Sequence, residues 1–297
     1  MTESLLPPIA VTAGQPKGLW RRLLTVPRVR IGGGVLLVFI VLAVLAPVIQ
    51  PHDPYLQDLG ARLLPPIWDT GGTAHHLLGT DHLGRDVLAR LLYGARVSLV
   101  IGLGAAAIGM VIGVTLGMLA GYFGGWIDQA ANLVLTSQLA LPGLLLAMAL
   151  VFLIGPSLPV VVLVIGLMHW TYYLVVTRSA TQRIRELDYI KASRVAGAST
   201  FQILAWDVLP NLVAPIVVVF TLEVGLAILA EASLSFLGVG VPAPTATWGL
   251  MIAEGKSAMF LRPWLVALPG LAIFALVTAV NLLGDGLRDG LQARGRG

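Results

Sequence analysis

The sequence contains no cysteine and few charged side chains. Without cysteine among its 297 residues, the chain has no disulfide framework, no thiol nucleophile and no cysteine-ligated metal site. Charged residues make up 11% of the chain, whereas ordinary soluble domains carry about 25%. Hydrophobic residues make up 57%, and the mean hydropathy is +0.88. These values exclude an ordinary soluble domain and predict a protein that lies mostly within a membrane.

Six apolar runs account for most of the chain. Each is close to or longer than the ~20 residues that a membrane-spanning helix needs. Because the bilayer interior offers the backbone no hydrogen-bond partner, spans of this length fold as helices. We therefore predict an all-α polytopic membrane protein with six transmembrane helices. The runs are residues 31–49, 97–121, 129–154, 158–176, 213–232 and 264–283.

The basic residues indicate how these spans are oriented. With both termini in the cytoplasm, thirteen of the 19 Lys and Arg lie inside, as the positive-inside rule requires, and the opposite orientation would reverse this excess. The sequence pI is about 9.7, but the charges form no patch between aromatic residues, so no nucleic acid partner is expected. The six basic residues left outside are Arg62, Arg85, Arg90, Arg96, Lys256 and Arg262.

This topology divides the chain into five parts. Residues 1–30 form a cytoplasmic tail, and residues 31–50 form the first transmembrane helix. Residues 51–95 form a periplasmic segment that contains an amphipathic helix. Residues 96–286 form a core of five helices, with a helical cytoplasmic loop at 178–211 between spans four and five, and residues 287–297 form a second cytoplasmic tail.

Residues 188–211 are a polar stretch between two apolar spans. Residues 190–196 can form a short helix, and Gly197 provides the permissive backbone of a turn. Ser199, with a glutamine three residues later, matches a capping box that opens a second helix. Pro210 predicts that this helix ends or kinks there. The pattern predicts a rigid helix–glycine–helix projection; an ordinary basic loop that obeys the positive-inside rule is the alternative.

Small residues recur at every fourth position of the second span. This spacing forms one smooth ridge along a helix, which is typical of close helix packing in lipid. The sequence leaves open whether the partner helix belongs to this chain or to another. The ridge consists of Ala105, Gly109, Gly113, Gly117 and Gly121.

Four further residues within the spans stand out. An ionisable group in hydrocarbon costs about 2.5–3.5 kcal/mol on insertion scales, so Glu223 and Glu231 are expected to face protein or water. Glu231 lies near the end of its span and is predicted to have a structural partner, whereas Glu223 lies deeper and is a candidate for lining a pathway. His169 is predicted to be hydrogen-bonded in packing. Pro142 predicts a kink or a helix start within the third span.

No catalytic or metal centre emerges from the sequence. Histidines and aspartates cluster in the segment after the first span, but no pair of histidines has the i, i+4 spacing of a helical metal site, so we predict no metal site. No nucleotide-binding motif and no nucleophile–base set is present either, so the chain is not expected to be an enzyme by itself. The clustered residues are His75, His76, His82, Asp81 and Asp86.

The stretch KASRVAG, followed by Leu209 and Pro210, resembles the loop shared by the membrane subunits of ABC importers. That pattern runs Glu-Ala-Ala, three residues, Gly, and then Leu-Pro at the spacing found here. Ala192 and Gly197 match the pattern, whereas lysine and serine stand where it has its glutamate and second alanine. Blocks at 78–88, 94–99, 121–128, 231–240 and 281–289 resemble the C-type permeases of the dipeptide and oligopeptide importers.

The resemblance implies a multi-pass permease of the bacterial inner membrane that forms half of a pathway for dipeptides or oligopeptides. Its implied partners are a second homologous permease, two ATPase subunits that carry ATP and Mg²⁺, an external substrate-binding protein and the lipid bilayer. It implies no cofactor bound by this chain. The residues implied to transmit ATPase closure are Tyr189, Lys191, Ala192, Ser193, Arg194, Gly197, Ala198, Leu209 and Pro210.

Three alternatives stay open. Relatives within the same importer family move glutathione or nickel complexes. An ion-coupled carrier that uses Glu223 as its ion site belongs to another class; it needs no ATPase partner and often shows a duplicated half, which this sequence lacks. A scaffold subunit without pathway residues is the third, although buried acids argue against it.

Overall fold

The computed structural model describes residues 25–292, and these residues are almost entirely helical. Its only β feature within that range is an isolated bridge between Thr80 and Asp86. Most of the expected N-terminal tail and the last five residues lie outside the described range. The helices are α1 (Pro27–Ile49), α2 (Val87–Phe123), α3 (Gly125–Leu139), α4 (Gly143–Ile154), α5 (Leu158–Met168), α6 (Thr171–Ile184), α7 (Asp188–Val195), α8 (Thr200–Phe236), α9 (Trp248–Gly255) and α10 (Trp264–Gln292).

Five spans are long and apolar enough to cross a membrane: α1, α2, α5 with α6, α8 and α10. A sixth consists of α3 and α4, which are bent by 88° at the break between them. Pro142 precedes α4 in extended backbone, with φ −62° and ψ 107°, so it marks a helix start inside this span. The prediction of an all-helical chain with up to six spans is therefore confirmed.

Helix α2 begins ten residues before the apolar run that predicted it. Its first residue is Val87, and the Asp86 side chain accepts a hydrogen bond of 2.8 Å from the backbone N–H of Ala89. The amphipathic helix expected within residues 51–95 is thus the first part of α2 and not a separate element. No glycine or proline interrupts the chain between this cap and the apolar run except Gly94, which packs against Trp248.

Helix α8 corrects one of the two expectations for Pro210. The helix that opens at Thr200 does not end at this proline but continues to Phe236. Residues Ile203–Val208 form a π-helical stretch directly before it. A widened turn of this kind adjusts the backbone where proline withholds an N–H, so the second helix of the loop is the beginning of the fifth span.

Helix α2 lies at the centre of the fold. It packs against α1, α5, α6 and α8, while α10 packs against α1 and α8. At one end, the fully buried Trp248 of α9 donates its indole N–H to the backbone oxygen of Leu91, at 3.0 Å. At the other end, α2 meets the polar loop that follows α6.

Candidate functional site

The coupling segment, residues 188–211, consists of α7, a glycine turn and the first turns of α8. Gly197 has φ +84°, a conformation that side-chain-bearing residues rarely adopt. Ser199 forms the capping box: its backbone N–H donates to Gln202 Oε1 at 2.8 Å, and its hydroxyl accepts from the Gln202 N–H at 3.3 Å. The turn and the cap together fix the angle between the two helices.

One side of the coupling segment is anchored in the protein. Ile190 on α7 and Ile203 on α8 are almost fully buried, and both belong to an apolar cluster with Tyr173 of α6. Val208 and Leu212, further along α8, are buried in the same cluster. Burial of a side chain of this size contributes roughly 1.5–3 kcal/mol, so the segment is held against α6 by its apolar inner face.

The opposite side of the coupling segment exposes large apolar side chains. Val195 is 90% exposed, Phe201 77% and Trp206 76%. The charged neighbours Asp188 and Lys191 also lie open, so this face carries apolar and hydrated polar groups side by side. An exposed apolar patch rimmed by charge is typical of a protein–protein contact.

The residues predicted for ATPase coupling mostly lie on this exposed side. Leu209, Ser193 and Ala198 are partly buried, and the other six are exposed. Asn211 donates its side-chain N–H to the Tyr189 hydroxyl at 3.2 Å, which ties α7 to α8. The six exposed residues are Tyr189, Lys191, Ala192, Arg194, Gly197 and Pro210.

Polar contacts tie the coupling segment and α6 to the corner between α2 and α3. Arg178 forms a two-pronged ion pair with Asp128, one arm of which measures 2.6 Å. Arg185 donates to the backbone oxygen of Gly121 at 3.0 Å. Arg194 donates to the Tyr122 hydroxyl at 3.2 Å and lies over its ring. The sequence marked Arg178 and Arg185 only as loop charge, and Arg194 also as a coupling residue. It did not reveal these contacts, because the partners are 50 or more residues away.

The small-residue ridge of α2 packs against α5 and α6 of the same chain. A Cβ added at Gly109 would lie 2.8 Å from the backbone oxygen of His169, and one added at Gly121 would lie 2.7 Å from that of Arg178. Gly113 and Gly117 contact the backbone between His169 and Arg178, and Ala105 is fully buried beside Gly166. The absence of side chains lets the two backbones touch over several turns.

Glu223 and Glu231 lie buried on α8, each 1% exposed. Glu223 contacts the His169 imidazole, with 2.5 Å between Oε2 and Nδ1. Glu231 accepts a hydrogen bond of 2.7 Å from the Ser235 hydroxyl one turn later. The sequence had marked both acids and the histidine, but not that Glu223 and His169 meet, since they are 54 residues apart.

Two pockets flank the contact between His169 and Glu223. His169 lines one of about 420 Å³, between the α3–α4 bend and α8. Glu223 lines the other, of about 340 Å³, together with Tyr172 and Asn281. Gln138 stabilises the break between α5 and α6 by donating to the Met168 backbone oxygen at 2.9 Å and accepting from the Trp170 indole N–H.

Comparisons with known proteins match this arrangement. The family model described as binding-protein-dependent transport system inner membrane component matches residues 113–296, and the model of the N-terminal transmembrane domain of oligopeptide transport permease C matches residues 17–66. The chain belongs to the family of binding-protein-dependent inner membrane transport components. The resemblance stated from its motifs is thereby confirmed.

Curated relatives of this permease span most of its length. It is 44% identical to the di/tripeptide transport system permease protein DppC of Pseudomonas aeruginosa over 88% of this chain and 87% of that protein. It is 40% identical to the dipeptide permease DppC of Haemophilus influenzae, over 87% and 88%. It is 38% identical to the glutathione permease GsiD of Pectobacterium atrosepticum, over 93% and 90%.

A solved structure shows the same fold. The inward-facing MetNI methionine ABC transporter includes a chain that matches this permease with a TM-score of 0.55 and 18% identity. The match covers 68% of this chain and 97% of that chain. The shared part is the helical fold of that chain.

Outside the apolar runs, the permease buries a four-membered ion-pair cluster. Arg90 Nη1 lies 2.5 Å from Asp81 and 2.9 Å from Glu254, and Arg85 contacts the same two carboxylates at 2.7 and 2.8 Å. Burial by itself raises the pKa of the Asp81 carboxyl, but Arg90, Arg85 and two backbone N–H groups outweigh it and hold the pKa below its usual value. The cluster joins the segment after α1 to α9.

Proposed function

We propose that the chain is the C-type permease subunit of an ATP-driven importer for dipeptides or oligopeptides in the inner membrane of a bacterium. The observation that carries the proposal is the coupling segment, anchored by apolar side chains on one side and exposed on the other. The peptide specificity is supported by the two dipeptide-permease relatives. In this proposal a second homologous permease completes the pathway, and an external binding protein delivers the peptide.

The exposed face of the coupling segment is the proposed docking surface for one of two ATPase subunits. Those subunits bind ATP and Mg²⁺, and this chain supplies no catalytic residue. Docking would cover Val195, Phe201 and Trp206, which are otherwise costly to leave in water. This requires the coupling segment to lie in the cytoplasm, in agreement with the distribution of basic residues.

The contacts of α6 explain how closure of the ATPases would reach the membrane. The glycine ridge joins α2 to α5 and α6, and the Arg178–Asp128 pair joins α6 to α3. Helices joined by this many contacts are expected to move together as one unit. A push on α7 is thus expected to tilt these helices as a unit and open the pathway outward, and hydrolysis resets it.

Glutathione is the second candidate substrate, because GsiD is among the relatives and glutathione is itself a short peptide. The relatives favour neither nickel complexes nor an ion-coupled carrier. The pathway role of Glu223 stays a prediction. Uptake by a Glu223→Gln variant tests it, since an unchanged rate and apparent affinity would leave Glu223 with a structural role only.

Purification of the chain in mild detergent from its own membranes tests the proposal. We expect a second permease and nucleotide-binding subunits to accompany it, and vanadate-sensitive ATPase activity. In proteoliposomes with the binding protein, ATP should drive accumulation of labelled dipeptide, with glutathione as the comparison. A chain that purifies alone and moves substrate with a proton gradient would contradict the proposal.

A further inference from the structure

Three histidines meet on the segment that follows α1. His52 comes shortly after that helix, and His75 and His76 lie in the loop before α2. The ring centroid of His52 lies 4.4 Å from that of His75 and 4.8 Å from that of His76. One ligand atom from each histidine lies within 4.8 Å of those of the other two. The sequence has no histidine pair with helical spacing, and it did not reveal this group because the three histidines come from separate parts of the chain.

A buried carboxylate orients two of the three rings. Asp86 Oδ2 lies 2.8 Å from Nδ1 of His76 and 3.2 Å from Nδ1 of His52. An Nδ1–H that donates to a carboxylate leaves Nε2 of the same neutral ring as a free lone pair, which is how metal-binding histidines are commonly held. The other oxygen of Asp86 caps α2, so the orienting group is itself fixed in place.

The spacing of the third ring matches metal geometry. His75 Nδ1 lies 3.4 Å from His76 Nε2. Two nitrogens bound to one tetrahedral zinc ion at 2.0–2.1 Å would lie about 3.4 Å apart. Hydrogen bonding between two imidazoles explains the distance of this one pair, but it does not explain why His52 turns toward the same point.

We propose that His52, His75 and His76 bind one divalent transition-metal ion, with Asp86 as the positioning residue. An all-imidazole set suits Zn²⁺, Ni²⁺ or Cu²⁺ and not Mg²⁺ or Ca²⁺, which prefer oxygen. Three protein ligands leave a fourth position for water or a group from another subunit. The bound ion joins the chain after α1 and the loop at 75–76 to the N-terminus of α2, and so stiffens the segment between the first two spans.

A second group among the described residues also combines a histidine with carboxylates, but arginines already neutralise those carboxylates. Asp81, His82 and Glu254 also lie within reach of a common point. Arg85 and Arg90 already neutralise both of these carboxylates at 2.5–2.9 Å. A cation placed there would face two guanidinium groups, so His82 serves as an internal control.

Metal binding by the full-length chain, purified in detergent with a tag that contains no histidine and stripped with a chelator, tests the proposal. Co²⁺ reports tetrahedral nitrogen ligands by its visible absorption, and Zn²⁺ competition gives the affinity. The wild type should bind one ion per chain. His52→Ala, His75→Ala and His76→Ala should each weaken binding at least tenfold, while His82→Ala should not. His75→Ala is decisive because this side chain is exposed and its removal should leave the fold intact.

Asp86→Asn separates positioning from helix capping. Asparagine caps helices about as well as aspartate, so the melting temperature without metal should stay unchanged. Loss of the orienting carboxylate should weaken Zn²⁺ binding about 10- to 100-fold. Failure of the wild type to bind one ion more tightly than His75→Ala, or equal loss in His82→Ala, would overturn the proposal. None of these outcomes depends on what the permease transports.

Discussion

The segments 51–86 and 188–211 both connect membrane spans, and they differ in whether they bury charged side chains. Segment 51–86 buries some of its charged residues: Arg85 is 2% exposed and Asp86 2%. Segment 188–211 buries none of its charged residues. Both segments expose large apolar side chains, such as Leu59 at 66% and Val195 at 90%. Both segments are polar by composition, so composition alone does not distinguish them.

The difference shows where each segment depends on contacts within this chain. In segment 51–86 the buried Asp81 carboxylate is paired with Arg85 and Arg90, and leaving such a charge unpaired would be costly. The coupling segment packs its apolar inner face against α6, and in the proposed complex an ATPase subunit covers its outer face. We therefore expect the buried ion pairs to matter mainly for stability and the exposed face of the coupling segment to matter mainly for transport.

The largest expected effect comes from breaking the buried cluster. Arg90→Met leaves Asp81 and Glu254 with one arginine between them. Removing one partner of a buried ion pair typically costs about 3–5 kcal/mol. We expect a clear fall in the melting temperature of the detergent-purified chain.

Arg96→Met is the matched control for Arg90→Met, because Arg96 lies on the same helix and is exposed. Its replacement should barely change the melting temperature. Equal melting temperatures for the two variants would show that segment 51–86 does not depend on its buried charges.

A smaller effect on stability but a specific effect on function is expected at Gly197. A β-branched residue at φ +84° costs about 1–3 kcal/mol of backbone strain, which the short turn relieves by changing the angle between α7 and α8. Gly197→Val should insert and assemble but hydrolyse ATP with little peptide uptake, measured together in proteoliposomes.

Gly238→Val separates uncoupling from strain. Gly238 has φ +82°, and, like Gly197, it has no atom within 4 Å of an added Cβ. It follows the opposite end of α8. This variant should carry the same strain and keep uptake coupled to hydrolysis, and normal coupling in Gly197→Val would contradict the role given to the turn.

Local features of the chain could be predicted from sequence, whereas contacts between distant residues could not. Gly197, the Ser199 capping box and the helix start after Pro142 depend on neighbouring residues, and the structure contains all three. The meeting of His169 with Glu223 depends on how α6 and α8 pack. The continuation of α8 through Pro210 was missed because a π-helical stretch has no reliable sequence signal.

The arrangement of the three histidines was missed for the same reason. His52 lies 34 residues before the aspartate that orients it. The small-residue ridge of α2 was predicted in part. The sequence showed its spacing, but it did not show that α5 and α6 pack against it. Neighbouring residues in the sequence thus predicted the helices and turns, whereas the contacts between them depend on how the whole chain packs.

The most direct test of the central claim uses the lack of native cysteine, since one introduced cysteine is then the only thiol in the chain. Phe201→Cys should react with a membrane-impermeant maleimide in inverted vesicles stripped of ATPase subunits, and not in spheroplasts. Adding the ATPase subunits back should protect it. Leu59→Cys, at a residue 66% exposed in the other segment, should react only in spheroplasts. Labelling of Phe201→Cys in spheroplasts, or labelling that the ATPase subunits leave unchanged, would contradict the account.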